Sequence, residues 1–294
     1  MLPIQGQNSS IEDRVFPQKF TLQIKGRLYS FAKPKVMGIL NLTPDSFFEG
    51  SRISGNSTLL LKKAEKMILD GAELLDLGGY STRPGAKDIS VEEEISRVQP
   101  AFSILKKEFP EILLSVDSFR AQVAQAAIDA GADIINDISA GELDPMMLQV
   151  VAESGLPYIA MHMRGTPQTM QQETSYADFL NEILHYFSQK MDNFRKLGIK
   201  DVILDPGFGF AKTLDQNYQL LRQIDLFQIF GCPLLVGVSR KSMIYRLLHT
   251  DPEHALNGTT ALNMVALLKG ANLLRVHDVK EAKETITLFE QLYP

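Results

Sequence analysis

Polar side chains that could bind or react with a small molecule recur in this 294-residue chain directly after short apolar runs. A carboxylate or carboxamide at the end of a buried run is costly unless it is hydrogen-bonded or meets a ligand. Such groups recognise the donors and acceptors of a flat heterocycle, and cationic side chains recognise anions. The residues at these positions are Asn41, Asp76, Asp117, Asn136, Asp137, His162, Asp205, Ser239, Arg275, His277 and Asp278.

Arg275 and His277 predict an anion site near the carboxyl end of the chain. They stand two residues apart, so on an extended strand their side chains share one face and can converge on one anion. The segment from Val279 onward is typical of a helix, whose first N–H groups and positive dipole end favour a phosphate. The alternative is a buried structural histidine beside a surface arginine.

The apolar runs that carry these residues have the composition of parallel strands buried on both faces. Apolar residues spaced three and four apart between the runs predict helices. Eight strands that end in polar groups and alternate with helices predict a (β/α)₈ TIM barrel, with the site at the carboxyl ends of the strands. The predicted strands are 36–40, 73–77, 113–116, 134–135, 158–161, 202–204, 234–238 and 273–276.

One domain accounts for residues 1–294. Residues 1–18 predict a loose lead-in, residues 20–31 a β-hairpin around Lys25 and Gly26, and residues 36–292 the barrel. We expect the hairpin to cover the bottom of the barrel, which is the end opposite the site.

Composition argues against several classes of partner. The net charge is −5 and the pI is about 5.6, whereas proteins that bind nucleic acid or anionic membranes present basic faces. No run of about 18 uncharged apolar residues is present. The single cysteine, Cys232, fits a reducing compartment and is interpreted as a small apolar residue, with a nucleophilic thiol as the alternative. These features predict a cytoplasmic protein.

Eight strings along the chain resemble the signature segments of the pterin-binding family, in that family's order and spacing, from about residue 36 to 280. A single string would be a weak signal, whereas eight in register are specific. Within the family, the closest resemblance is to the members that form 7,8-dihydropteroate. The strings are MGILNLTPDSF at 37–47, GGYSTRPGA at 78–86, SVDSFRA at 115–121, INDIS at 135–139, MHMRGTP at 161–167, LDPGFGF at 204–210, GVSRKS at 237–242 and LRVHDV at 274–279.

The resemblance implies a transferase of folate biosynthesis. Such an enzyme condenses 6-hydroxymethyl-7,8-dihydropterin diphosphate with 4-aminobenzoate, giving 7,8-dihydropteroate and pyrophosphate. Sulfonamides would then compete for the aminobenzoate pocket, and the family expectation for assembly is a homodimer. No nucleic acid or membrane partner is implied.

The resemblance also implies how the pterin diphosphate is held. Asp205 would accept the N–H and the exocyclic amine of the pterin edge, because a carboxylate matches that fork. Asn136 and Asp117 would bind other ring groups, and Lys241 would donate to the ring carbonyl. For Asp117 and Asn136 the alternative is capping of the helices that follow, and for Asp205 it is a turn with Pro206 and Gly207. Thr82, Arg83, Arg275 and His277 would bind the diphosphate.

By the same resemblance, the aminobenzoate pocket is formed by Phe47, Pro84, Phe210, Lys241 and Ser242. Asn41 would be the protein ligand of Mg²⁺, an ion that is usually shared between a few protein oxygens, waters and substrate phosphates. Asp45 would join when its loop closes.

We expect a dissociative mechanism, because no activated nucleophile with its base is evident and the amine of aminobenzoate is neutral. Arg83, Arg275, His277 and Mg²⁺ would draw charge onto the leaving pyrophosphate. Departure of the pyrophosphate would leave a methylene cation stabilised by the pterin. Asp45 and Asp117 would stabilise this cation by their field, and Lys241 would assist at the pterin ring. His162 is interpreted as a packed, wall-lining residue rather than a catalytic one.

Three departures from the family pattern spare these ligand positions: Tyr80 where Glu is usual, Phe48-Glu49 after the first loop motif, and Ser118 where Thr is commoner. Two other activities stay open. One is a corrinoid-linked methyltetrahydrofolate methyltransferase, against which the STRPG, SRKS and RVH strings argue. The other is an inactive pterin-binding paralogue, which the presence of every expected ligand disfavours.

Overall fold

Eight parallel strands form the centre of the molecule in the computed structural model, which describes residues 20–42, 53–81 and 88–293. The strands are neighbours in the order β8-β7-β6-β5-β4-β3-β10-β9, and a parallel bridge between Leu204 and Leu234 joins the two ends of the sheet. Each predicted apolar run is a strand, so the barrel is confirmed. The strands are β3 Lys35–Asn41, β4 Leu74–Gly78, β5 Leu113–Asp117, β6 Ile134–Asp137, β7 Tyr158–Met161, β8 Val202–Asp205, β9 Leu235–Val236 and β10 Leu273–Val276.

Helices alternate with the strands and cover the outside of the barrel. A large apolar cluster packs the outward side chains of the strands, such as Leu75, Val116 and Leu274, against these helices. The helices are α1 Ile53–Leu69, α2 Val91–Glu108, α3 Ala121–Asp129, α4 Met147–Ser154, α5 Phe179–Lys196, α6 Leu214–Arg222, α7 Ser242–Tyr245, α8 Leu256–Leu268 and α9 Val279–Leu292, with 3₁₀ turns at Met170–Gln172 and Ile224–Phe230.

The predicted N-terminal hairpin is present and covers the bottom of the barrel. Its strands, β1 Thr21–Ile24 and β2 Arg27–Ser30, pair antiparallel around a turn at Lys25 and Gly26, both of which have positive φ. Leu22 and Ile24 face inward from β1. Together with Phe31 they complete a second apolar cluster, the barrel floor, whose strand residues are Met37, Leu74, Ile134, Ile159, Ile203, Leu235 and Leu273.

The two-residue period of a strand places the polar residues one layer above this floor. Ile134 lies in the floor and Asn136 stands two residues later on the same strand, and the same step separates Ile203 from Asp205. Leu74 and Asp76 on β4, and Leu273 and Arg275 on β10, repeat the pattern. The barrel interior therefore changes from hydrocarbon to hydrogen-bonding groups within one step along each strand.

No helix in the described ranges is long and apolar enough to cross a membrane. Cys232 is half-buried, and burial raises the pKa of its thiol to about 11. The thiol is therefore protonated at neutral pH, which agrees with the interpretation of Cys232 as a packing residue.

Candidate active site

Four polar residues on four strands form a connected network inside the upper half of the barrel. Arg275 donates from Nε to Oδ2 of Asp76 at 2.6 Å and from Nη2 to Oδ2 of Asp117 at 2.6 Å. Asn136 donates from Nδ2 to the same Oδ2 of Asp76 at 3.0 Å. Residues distant in sequence thus converge because β4, β5, β6 and β10 present their carboxyl-terminal halves to one interior space.

Burial and the pairing of charges set the protonation of this network. Burial lowers the pKa of Arg275, but Asp76 and Asp117 raise it by more, so the guanidinium stays charged. Burial raises the pKa of Asp117 to about 7, and Arg275 only partly offsets that effect. Asp117 therefore titrates near neutral pH, while Arg275 remains a fixed cation.

Asp205 lies at the end of β8, where the chain turns sharply into the Pro206-Gly207 loop. Its Oδ1 accepts the Gly207 N–H at 2.8 Å, and Gly207 has φ of +75°. A Cβ at Gly207 would lie 2.1 Å from the His162 carbonyl oxygen, so this turn requires glycine. Burial raises the pKa of Asp205, and Lys241, Arg275 and Lys212 partly offset the effect.

Two lysines brace the loop that follows Asp205. Lys241 donates to the Phe208 carbonyl and places its ammonium 4.9 Å from the centre of the Phe210 ring. Lys212 is buried and donates to the carbonyls of Gly207 at 2.9 Å and Phe210 at 3.0 Å. Burial lowers the pKa of Lys241 to about 8 and holds that of Lys212 well below its usual value.

The predicted anion site lies at the end of β10. His277 is exposed, and its Nδ1 lies 3.1 Å from the Ser239 hydroxyl, which also accepts the His277 backbone N–H. Helix α9 begins two residues later, as predicted. Asp278, the residue before the helix, is paired through both oxygens with Arg240 at 2.8 Å, so Arg240 is committed to a neighbouring residue.

Comparison with known proteins assigns this arrangement to a family. A model of pterin binding enzymes matches residues 37–277. The dihydropteroate synthase of Escherichia coli K12 is 44% identical over 269 residues, covering 90% of this chain and 94% of that protein. The Yersinia pestis dihydropteroate synthase, solved with a sulfonamide drug complex, superimposes with a TM-score of 0.86 at 40% identity, covering 93% of this chain and 99% of the other.

The chain belongs to the pterin-binding enzyme family. A further solved structure, the Thermus thermophilus dihydropteroate synthase in complex with 4-aminobenzoate, is 35% identical with a TM-score of 0.83, and the alignment covers 93% of this chain and 100% of that one. The similarity thus extends over nearly the whole barrel and singles out one activity among pterin-binding enzymes.

The described members of the predicted site are brought together. Asn136, Asp117 and Arg275 share the Asp76 network, and Asp205 is close enough to Lys241 and Arg275 for both cations to act on its pKa. Phe210 and Ser242 adjoin Lys241, and Asn41 ends the strand β3 beside Gly78. Five predicted residues lie outside the described residues: Asp45, Phe47, Thr82, Arg83 and Pro84.

The helix-capping alternative for Asp117 and Asn136 is wrong. Helix α3 has Arg120 at its N-cap and no side-chain cap, and the Ser118 hydroxyl accepts the Arg120 N–H at 3.2 Å. After β6, the Ser139 hydroxyl accepts the Leu143 N–H at 3.3 Å. Asp117 and Asn136 are therefore turned toward the barrel interior and the Asp76 network.

Two polar residues at strand ends are held by contacts within the fold. Asp137 accepts hydrogen bonds from the Tyr158 hydroxyl at 2.7 Å and from the Ser139 and Gly141 N–H groups, so it organises the turn after β6. His162 packs edge-on against Tyr186 with ring centroids 4.9 Å apart and is 2% exposed. The interpretation of His162 as a packed residue agrees with this geometry.

Sequence reasoning gave no role to Asp76 or Lys212. Asp76 was visible only as one polar residue within an apolar run, and Lys212 follows the LDPGFGF string by two positions. A lysine directly after a glycine-rich loop is a usable signal for a residue that pins that loop. Tyr80, the departure from the family pattern, accepts a hydrogen bond from Gln168 at 2.7 Å and packs edge-on against Phe119.

Proposed function

We propose that this chain is a dihydropteroate synthase whose described rim residues act on the substrates as follows. The reaction breaks the bond between the pterin methylene carbon and the diphosphate oxygen of 6-hydroxymethyl-7,8-dihydropterin diphosphate. It forms a bond from that carbon to the amine nitrogen of 4-aminobenzoate, which loses a proton. The products are 7,8-dihydropteroate and pyrophosphate. The observation that carries the proposal is the convergence of Asp117, Asn136, Asp205 and Arg275 above the barrel floor.

The pterin ring binds in the upper layer of the barrel interior. Asp205 accepts the ring N–H and the exocyclic amine, and its two oxygens match that edge. Asn136 and Asp117 form hydrogen bonds with the remaining polar groups of the pterin ring, and Lys241 donates to the ring carbonyl. Lys241 already contacts the Phe208–Phe210 loop, which supports a position along one side of the ring.

The diphosphate binds at the end of β10. Arg275 supplies a fixed positive charge, and His277 supplies a donor beside the first turn of α9. Thr82 and Arg83 are proposed diphosphate ligands from the loop after β4. Electrostatic stabilisation of the leaving group is the main catalytic term in this scheme.

Asn41 is the proposed protein ligand for Mg²⁺. Its carboxamide ends β3 at the rim and makes no hydrogen bond with the other described residues, so an amide oxygen is available to a hard cation. Within the described ranges no three His, Cys, Asp or Glu side chains form a metal cluster. When bound, Mg²⁺ neutralises charge on the leaving pyrophosphate.

The aminobenzoate lies between the Phe210 ring and the segment Lys241-Ser242, with Phe47 and Pro84 completing the pocket. Lys241 is near enough to Phe210 for its ammonium to contact the ring face, so both residues can border one slot. In a dissociative reaction the cation forms first, and the fields of Asp45 and Asp117 stabilise it while the amine is held in line.

Pyrophosphate release tests the activity. Purified protein mixed with Mg²⁺, dihydropterin diphosphate and 4-aminobenzoate is expected to release pyrophosphate in proportion to dihydropteroate formed. An inactive paralogue would release none, and a corrinoid-linked methyltransferase would instead demethylate methyltetrahydrofolate. Either result would reject the proposal.

Isotope exchange tests the dissociative step. The ¹⁸O label is placed in the oxygen that joins the methylene carbon to the diphosphate, and no amine is added. Reversible ionisation is then expected to move the label into non-bridging diphosphate oxygens of the recovered substrate. Retention of the label in the bridge would favour direct displacement.

The protein is also proposed to form a homodimer through an exposed apolar face around α8. Leu248 packs beside Gly258 of α8, and the 3₁₀ turn that precedes β9 lies against the end of this helix through Gln228 and Gly270. The exposed apolar residues of these segments, which we propose to form the face, are Leu226, Ile229, Leu247, Leu248 and Val265.

Light scattering after size-exclusion chromatography checks the assembly. Ile229→Lys combined with Leu248→Lys is expected to give monomers, whereas Leu28→Lys, on the exposed side of the hairpin, is expected to leave dimers intact. A monomeric wild-type protein would reject the dimer. The cytoplasmic location stays a prediction.

A further inference from the structure

Asp76 is buried at the centre of the proposed site, although no contact with substrate has been assigned to it. Its side chain is fully buried, and one of its oxygens, Oδ2, accepts hydrogen bonds from both Arg275 and Asn136. These two partners come from β10 and β6, on opposite sides of β4. Asp76 thus joins a residue of the proposed pterin side, Asn136, to a residue of the proposed phosphate side, Arg275, through one oxygen atom.

The stability of the fold gives little reason for a carboxylate at this position. A buried ion pair often contributes no more stability than apolar side chains of similar volume. The second oxygen of Asp76, Oδ1, is buried without a hydrogen-bond partner among the described residues, which leave the carboxylate only partly compensated. An acidic residue held at such a cost is better explained by what it does to Arg275 and Asn136.

Asp76 and Asp117 share Arg275 but differ in accessibility. The Asp117 side chain is 18% exposed, whereas that of Asp76 is 0% exposed. Arg275 uses Nε for Asp76 and Nη2 for Asp117. A substrate entering from the rim can therefore take over the interaction with Asp117 while the contact between Arg275 and Asp76 is retained.

We propose that Asp76 is a positioning residue for the pterin diphosphate: its Oδ2 holds the Asn136 carboxamide and the Arg275 guanidinium in the orientations that the substrate meets. It keeps Arg275 neutralised on the buried side, so that Asp117 is released to the ring. The amide of Asn136 is fixed with its nitrogen toward Asp76 and its oxygen toward the ligand. This role rests on the proposed function.

Steady-state kinetics of Asp76→Asn tests the role. The amide has the shape of the carboxylate, and its oxygen can take the Oδ2 position that both donors meet, but it lacks the negative charge that holds the Arg275 guanidinium. We expect kcat/KM for dihydropterin diphosphate to fall by about 10- to 100-fold, the range found when residues that orient ligating side chains are changed. The KM for 4-aminobenzoate is expected to change by less than about twofold, because Asp76 does not act on that pocket.

Asp133→Asn is the matched control. Asp133 is another buried carboxylate of the barrel, 3% exposed in its side chain, and it pairs with Lys106 at 2.7 Å and Lys25 at 2.8 Å at the start of β6. Its replacement also removes a buried charge, but at the opposite end of the strands. We expect Asp133→Asn to lower thermal stability and to leave both KM values unchanged.

Equal losses for both substrates in Asp76→Asn, or an unchanged kcat/KM for the pterin diphosphate, would overturn the proposal. If Asp76→Asn does not fold, Asp76→Glu keeps the charge and displaces the oxygens by one methylene, and the same selective fall in kcat/KM for the pterin diphosphate is expected. In a double-mutant cycle, Asp76→Asn and Asn136→Ala should combine to less than the product of their separate effects, and full additivity would contradict a role through Asn136. Inactive wild-type protein would reject the proposed function instead, so the two failures are distinguishable.

Discussion

The floor and the upper layer of the barrel interior are built from the same strands and have opposite character. In the floor, Ile134, Ile203 and Leu273 are fully buried members of one apolar cluster. Two residues further along those strands stand Asn136, Asp205 and Arg275, which are joined to other groups by hydrogen bonds and charge.

This contrast separates stability from function along a distance of two residues. The floor gains from removal of apolar surface from water, while the upper layer holds buried charges that are costly without their partners. A change in the floor should therefore alter the free energy of unfolding and spare binding. A change in the upper layer should alter substrate binding, whatever it does to stability, and the following predictions test that division.

The largest effect is expected for Asp205→Asn in the upper layer. The amide accepts at only one position of the pterin edge and presents an N–H₂ group at the other, so one hydrogen bond to a charged acceptor, of about 1.5–3 kcal/mol, is lost and a donor faces a donor. The kcat/KM for dihydropterin diphosphate should fall on the order of 10³-fold or more, a rejection typical of unpaired buried donors. Kinetics and calorimetric titration with dihydropterin diphosphate measure it.

Asp201→Asn serves as its control on the same segment. Asp201 precedes β8 at the bottom of the barrel and accepts the Gln23 N–H at 2.9 Å. It is expected to leave kcat/KM within about twofold, as surface substitutions usually do. Tight binding of dihydropterin diphosphate by Asp205→Asn would remove Asp205 from its central role.

Ile203→Ala, in the floor beneath Asp205, should lower stability and leave substrate binding unchanged. Loss of buried methyl groups is expected to lower the free energy of unfolding by about 2–5 kcal/mol, depending on how far the cavity closes. Urea denaturation measures this change, and the KM for each substrate should stay within about twofold. A raised pterin diphosphate KM without loss of stability would show that the floor and the upper layer are not separable.

The pH dependence of kcat/KM sharpens the account of the upper layer. Asp117 must be ionised to accept from the ring, and its pKa of about 7 means that lower pH protonates it. Lys241 must be protonated to donate, and its pKa of about 8 means that higher pH removes that proton. We expect a bell-shaped profile with an optimum between these values and roughly tenfold loss per pH unit on each side.

Asp117→Asn supplies the control for the acid side of this profile. The variant has no carboxyl group to titrate, so its residual activity should no longer fall as the pH drops through 7. An acid limb that persists unchanged would assign the titration to another group.

The strands were predictable because burial on both faces leaves continuous apolar runs, whose ends mark the rim. The hydrogen-bond partners that side chains find across the barrel interior were not predictable, because they depend on how the barrel closes. Asp76 bonds to Arg275, which lies 199 positions away, and to Asn136, 60 positions away. Local periodicity reports which face a side chain occupies, whereas closure decides which groups meet, so the partners of Asp76 and the role of Lys212 emerged only from the structure.

The smallest effect is expected on the outer face of the hairpin that closes the floor. Leu28 is 81% exposed on β2, while Leu22, on β1, is 4% exposed and packs into the floor. Leu28→Ser should change the free energy of unfolding by less than about 0.5 kcal/mol, whereas Leu22→Ser buries a hydroxyl in an apolar cluster and should cost several times more. Urea denaturation of both variants compares the two faces directly. A loss above about 1 kcal/mol for Leu28→Ser would mean that the outer face is covered in solution, and the division between a sealed floor and a solvated exterior would then fail at the hairpin.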